Sequence, residues 1–178
     1  MNLFLIGYRC TGKTTVANII AGRLHRSAVD ADVVLEQTYG KTIREIFADE
    51  GELGFRDKET AVLRTLCDKE DQVISTGGGV ILRPENRTLL QSAGKCVWLT
   101  ADPDTIWQRM STDVTTADRR PNLASGGLQE IENLLRQREP LYQQCADFRI
   151  PTDETEPESL ADRIEQWWQS FSNPNVDS

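Results

Sequence analysis

The residues Gly7-Tyr8-Arg9-Cys10-Thr11-Gly12-Lys13-Thr14 combine two glycines, a lysine and a hydroxyl at fixed spacing. Glycines let backbone N–H groups converge on phosphate oxygens, and a helix N-terminus adds a favourable dipole. A lysine at this position reaches β- and γ-phosphates, and the following hydroxyl ligates magnesium. The run is therefore read as a P-loop, with Gly7, Cys10, Thr11, Gly12, Lys13, Thr14 and the adjoining Thr15 expected against a nucleoside triphosphate.

Asp30-Ala31-Asp32 places two carboxylates one residue apart. One can serve a metal and the other a hydroxyl, but an Asp also suits the cap of a helix beginning at Val33, and both readings stay open. Many P-loop proteins carry a magnesium-linked Asp at the end of a central strand. Here that strand ends Ser75-Thr76 with no acid, so Asp30 can fill the role.

Gly77-Gly78-Gly79 permits close approach of the backbone to a ligand and offers N–H donors. Arg56 and Glu59, three apart on a helical pattern, share a face; a surface ion pair is the commoner fate of such a pair. Arg138 stands just before Pro140, where the helix is expected to break or kink and turn the guanidinium toward a site. Arg120-Pro121 lies in a long polar segment and is read either as a phosphate clamp or as a solvated loop arginine. His25 reads as a surface or helix-end residue, and Cys10 contributes backbone.

Positioning these groups takes strands that end beside them. Leu3 to Ile6 is an apolar run stopping at Gly7, followed after Lys13 by Val16, Ile19, Ile20 and Leu24 at helical spacing. Further strands are expected at Ser27 to Val29, Gln72 to Ser75, Cys96 to Leu99 and Phe148 to Ile150. Helices are expected over Thr42 to Glu50, Glu52 to Cys67, Pro84 to Ala93, Asp102 to Met110 and Leu128 to Glu139, with a last one bearing Leu160, Ile164, Trp167, Trp168 and Phe171 on one stripe. Short buried strands alternating with helices predict an α/β fold with a parallel sheet covered on both faces. Ligands then bind beyond the carboxyl ends of the strands.

The length of 178 residues fits one domain, taken as residues 1–171, with a frayed tail at 172–178. The net charge of −8 argues against a broad nucleic-acid or membrane footprint. Cys10, Cys67, Cys96 and Cys145 show no paired spacing, which suits a reducing cytoplasm, and no stretch approaches the roughly 20 apolar residues of a membrane span.

Taken in order, the P-loop, Asp30-x-Asp32, Phe55-Arg56-x-x-Glu59, Gly77-Gly78-Gly79, Arg120-Pro121 and Arg138-x-Pro140-Leu141-Tyr142 resemble the shikimate kinase family, over nearly the whole chain. The resemblance implies a nucleoside-monophosphate-kinase-like P-loop NTPase fold with a five-stranded parallel sheet, a substrate subdomain at about 33–57 and a lid at about 111–125. It implies ATP as co-substrate, Mg2+ as cofactor, and shikimate as acceptor, phosphorylated on its 3-hydroxyl in aromatic amino-acid biosynthesis. Asp32 would bind the ring hydroxyls and act as base, and Arg56 and Arg138 would hold the carboxylate. Glu59 would orient Arg56, and Gly77, Gly78 and Gly79 would line the pocket. Thr14 and Asp30 would hold magnesium, Arg120 would clamp phosphate, and Arg109 with the segment Thr152 to Pro157 would lie near adenine. A monomer is implied.

Two other readings compete. A gluconate or nucleotide kinase would share the loop, but nucleotide kinases carry an acidic motif where this chain has three glycines. A nucleotide-binding module without transfer activity would have no need of both Lys13 and Asp32.

Overall fold

The computed structural model describes residues 1–112 and 127–172. Its centre is a parallel sheet of five strands: β1 (Asn2–Ile6), β2 (Ser27–Asp30), β3 (Gln72–Ser75), β4 (Gly94–Thr100) and β5 (Phe148–Pro151), in the spatial order β2-β3-β1-β4-β5. The register pairs Phe4 with Ile74 and Cys96, and Asp30 with Ser75. All five strands point the same way, so Gly7, Asp30, Thr76 and Ala101 come to one edge.

Successive residues of a strand face opposite sides. In β1, Phe4 and Ile6 enter one core with Phe55, Leu63, Ile74, Trp98 and Tyr142. Leu3 and Leu5 enter the other, with Val16, Ile20, Val97, Ile164 and Trp168. The helices covering the first face are α3 (Ile43–Cys67), α4 (Pro84–Ala93) and α6 (Gly127–Cys145); α1 (Lys13–Arg23) and α7 (Pro157–Ser172) cover the second. Two further helices, α2 (Ala31–Tyr39) and α5 (Pro103–Thr112), follow β2 and β4.

Strand ends lie within two residues of their expected places. Helix α2 begins at Ala31, two residues ahead of Val33, and its cap is Asp30, whose Oδ1 accepts from the N–H groups of Asp32 at 3.0 Å and Val33 at 3.3 Å. Gly51 breaks α3 with φ 69°, where the two expected helices meet. The N-terminus of α3 is a reciprocal cap: Glu45 N–H donates to Thr42 Oγ1 at 3.2 Å, and Thr42 N–H donates to Glu45 Oε2 at 2.7 Å. The Thr42 N–H and the Thr42 hydroxyl, both donating to Glu45 Oε2, hold the Glu45 carboxyl below its usual range.

The expected break at Pro140 is not found. Helix α6 runs through to Cys145. Proline removes one backbone donor, but Tyr142, beyond it, is pinned by stacking on Trp98 at 5.5 Å and by donating its hydroxyl hydrogen to Gly78 O at 2.5 Å.

Candidate active site

The P-loop joins β1 to α1. Gly7 has φ 142°, and a Cβ there would strike the Leu99 carbonyl of the neighbouring strand. Gly12, the residue before α1, has φ 85°, a left-handed conformation natural to glycine. Inside the loop the Thr11 hydroxyl and the Lys13 ammonium both donate to Tyr8 O, at 2.8 Å and 2.6 Å, and Lys13 is only 8 % exposed. The lysine head is thus held in the loop it is expected to serve. Thr15 is exposed on the first turn of α1.

At the ends of β2 and β3 three oxygen-bearing side chains converge. Thr14 Oγ1 donates to Asp30 Oδ2 at 2.8 Å and lies 3.2 Å from Ser75 Oγ. One Asp30 oxygen therefore caps α2, the capping reading of this residue, while the other meets the P-loop hydroxyl. Ser75 was not expected here. Its signal is the register that sets it beside Asp30. Asp32 follows, half-buried in the first turn of α2.

The glycine turn after β3 is packed between the P-loop and two arginines. A Cβ on Gly78 would sit 3.3 Å from Gly7 O and from Arg9 N, so this backbone lies directly against the P-loop. A Cβ on Gly79 would collide with the Arg56 guanidinium, whose Cζ is 2.7 Å away from that point. Gly78 O accepts from Arg138 Nη1 at 3.4 Å as well as from Tyr142. Arg56 and Arg138 thus flank consecutive glycines. Gly77 accepts from Val80 N–H at 3.2 Å and starts the short helical turn Val80–Leu82.

The Arg56–Glu59 pair is not on the surface. Arg56 Nη1 donates to Glu59 Oε2 at 2.6 Å, and the two side chains are 10 % and 7 % exposed. The face they share on α3 also carries Phe55, Val62 and Leu63, and it is the face turned to the core. Three-residue spacing alone gives no information on which face that is.

Arg138 extends from α6 over the ring of Tyr8, 5.6 Å from its centroid. Tyr8 is 2 % exposed; burial raises its phenol pKa against the lowering pull of Arg9 and Arg138. Its hydroxyl has no hydrogen-bond partner among the described residues.

Arg109 ties α5 to the P-loop and to the segment after β5. It donates to Cys10 O at 3.2 Å, Thr152 Oγ1 at 3.1 Å and Thr152 O at 2.6 Å. Asp102 N–H in turn donates to Asp153 Oδ1 at 2.7 Å. A groove of about 400 Å³ runs between Cys10, Thr11, Gly12 and Thr15 on one side and Thr152 to Pro157 on the other, with Arg109 in its wall. The residues expected near a nucleotide base thus share a groove with Cys10, Thr11, Gly12 and Thr15 of the P-loop. A cavity of about 620 Å³ lies beside Arg56, between Glu50 to Leu53 and Leu82-Arg83. A third, of about 300 Å³, lies beyond Tyr8 and is bordered by Trp98, Tyr142 and Arg149. Arg120 and most of the expected lid lie outside the described residues.

A parallel sheet with a P-loop after its central strand, a hydroxyl–carboxylate cluster beside it and two arginines across a glycine turn define a P-loop phosphotransferase of the nucleoside-monophosphate-kinase type. The shikimate kinase family model matches residues 9–169, and the chain belongs to that family. A shikimate kinase from Rhodopirellula baltica is 47 % identical over 152 residues, covering 85 % of this chain and 81 % of the relative. The solved shikimate kinase from Acinetobacter baumannii in complex with shikimate superposes with a TM-score of 0.89 at 37 % identity, covering 96 % of this chain and 93 % of that one. That from Bacteroides thetaiotaomicron gives 0.87 at 32 % identity, covering 95 % of this chain and 98 % of that one.

Proposed function

We propose that this chain transfers the γ-phosphoryl group of ATP to the 3-hydroxyl of shikimate, giving shikimate 3-phosphate and ADP. The observation that carries the reading is the flanking of Gly78 and Gly79 by Arg138 and Arg56, with the same turn packed on the P-loop. Guanidinium forks match a carboxylate, and their place next to the phosphate loop brings an anionic acceptor beside the nucleotide.

In this reading the P-loop amides and Lys13 hold the β- and γ-phosphates, and Arg109 with Thr152 to Pro157 borders the base. The acceptor hydroxyl oxygen attacks the γ-phosphorus in line, its proton passes to Asp32, and the bond to the β-phosphate oxygen breaks to release ADP. Arg56, oriented by Glu59, and Arg138 fix the carboxylate, and Gly77, Gly78 and Gly79 form the floor. Arg120 clamps the transferred phosphate, a role resting on family resemblance.

The Thr14, Asp30 and Ser75 oxygens fit magnesium, a hard cation that takes few protein ligands and completes its shell with phosphates and water. No group of three His, Cys, Asp or Glu side chains among the described residues forms an all-protein metal cage. Thr14 and Asp30 would hold the ion, directly or through water. Magnesium would neutralise charge developing on the phosphate oxygens.

The chain acts as a monomer of one domain, residues 1–171, in the cytoplasm, with no nucleic-acid or membrane partner. Its net charge of −8 supports the last point, and no helix among the described residues is long and apolar enough to cross a membrane.

The test is ADP release with ATP and magnesium across shikimate, gluconate and nucleoside monophosphates. Acceleration by shikimate is expected; acceleration by another acceptor alone would overturn the assignment. Asp32→Asn is expected to lower kcat by about 10²- to 10⁴-fold with ATP affinity nearly unchanged. An equal loss of ATP affinity would move Asp32 to the metal.

A further inference from the structure

The Arg56 guanidinium is shared between two carboxylates of unequal character. On its inner side Nη1 donates to Glu59 at 2.6 Å, a contact almost closed to water. On its outer side Nη2 reaches Glu52 Oε1 at 3.4 Å, and the Glu52 side chain is 67 % exposed. Glu52 directly follows the helix break at Gly51 and stands on the rim of the cavity of about 620 Å³ beside Arg56. The other charged rim residues are engaged elsewhere: Glu50 with Lys58 at 2.5 Å, and Arg83 with Asp57 at 2.6 Å.

From this geometry we infer that Glu52 is an internal anion that occupies the outer edge of Arg56 in the empty site and competes there with the acceptor's carboxylate. The inference rests on the reading of Arg56 as the carboxylate anchor. An exposed carboxylate at 3.4 Å contributes little to holding a guanidinium already bound by Glu59. Its charge matters to what arrives next. A ligand carboxylate approaching Nη2 must displace Glu52 or sit beside a like charge, so Glu52 weakens acceptor binding and speeds release of any carboxylate-bearing product. Residue 52 thereby tunes the acceptor KM without touching the reacting atoms.

The test is Glu52→Gln, which keeps the side chain's size and removes the charge. KM and the calorimetric Kd for shikimate are expected to fall about three- to tenfold, the effect of removing one like charge a few ångströms away near a protein surface. The KM for ATP is expected to stay constant, kcat not to rise, and the gain to shrink with added salt. The methyl ester of shikimate, which lacks the carboxylate charge, separates charge competition from a change of shape: its Kd is expected to be the same in both proteins. Unchanged or weaker shikimate binding in Glu52→Gln, or an equal gain for the ester, overturns the inference. Arg56→Ala separates this failure from a failure of the site. If that variant binds shikimate normally, Arg56 is not the anchor and both readings fall; if it binds weakly while Glu52→Gln is unchanged, only the role of Glu52 falls. Glu52→Ala, with the same expected gain, serves should the glutamine form a new hydrogen bond to Arg56.

Discussion

The Arg56 guanidinium occupies the space that a side chain on Gly79 would need, with its Cζ 2.7 Å from the position of a Cβ. Glycine at 79 is thus a steric condition for the placement of an arginine 23 positions earlier in the chain. Gly79→Ala is expected to push Arg56 out of place and lower kcat/KM for shikimate about 100-fold, the scale of an ångström-sized misplacement. The ATP dissociation constant should stay within a factor of two or so, because hydrogen bonds of the P-loop do not involve this glycine. Steady-state kinetics with each substrate varied, together with ATP titration, checks both expectations.

Glu59 neutralises an arginine that is 90 % shielded from water, since only 10 % of the Arg56 side chain is exposed. Glu59→Ala leaves that charge buried without its inner partner. The expected cost is about 3 kcal/mol of folding stability, the range found when one member of a buried pair is removed. Shikimate, by bringing its own carboxylate to Arg56, is expected to raise the melting temperature of this variant more than that of the parent protein. Differential scanning calorimetry with and without shikimate measures both.

Asp30 uses one oxygen to cap α2 and the other to meet Thr14. The two duties can be separated. Asparagine caps a helix about as well as aspartate, but it brings no negative charge to a metal. Asp30→Asn is therefore expected to leave urea stability within about 0.5 kcal/mol while raising the magnesium concentration for half-maximal activity about tenfold or more. Asp30→Ala should lose both cap and charge. Magnesium titrations beside urea unfolding curves distinguish the variants.

The Thr42–Glu45 cap carries a pH dependence of known sign. The Glu45 carboxyl titrates below the ordinary glutamate value of 4.5 in the folded protein because Thr42 donates to its charged form. Its contribution is fully present above pH 4.5 and is lost as pH falls through the lower folded value. The stability difference between the parent and Glu45→Gln should be constant from pH 7 down to about 5 and then shrink. Thr42→Ala removes the reciprocal bond and should cost about 1 kcal/mol. Chemical denaturation across this pH range is the measurement.

Much of the sheet was legible because its signals are local: short apolar runs stopped by Gly7, Asp30 and Gly77 are read one segment at a time. What escaped depended on contacts between distant segments. Burial of Arg56 and Glu59 is decided by which face of α3 meets β1 and β3, and no spacing rule contains that choice. Pro140 has strong local meaning as a helix breaker, yet Tyr142, held by Trp98 and Gly78, overrides it. Ser75 joins Thr14 and Asp30 only through the pairing of β2 with β3. Arg109 was placed by the family resemblance alone, since its partners, Cys10 O, Thr152 Oγ1, Thr152 O and Asp153 O, come from two loops more than 40 residues away on either side.

Strand β1 sits in the middle of the sheet, yet both of its neighbours are made much later: Leu3 waits for Val73 on one side and Lys95 on the other. A chain emerging from a ribosome therefore carries its phosphate loop as an unsupported segment until β4 has cleared the exit tunnel. Non-local pairing of this kind slows assembly and leaves apolar strands open to partners other than their own. Nucleotide binding can thus begin only once β4 has emerged, and nascent-chain stalling before Thr100 should yield a species with no affinity for ATP.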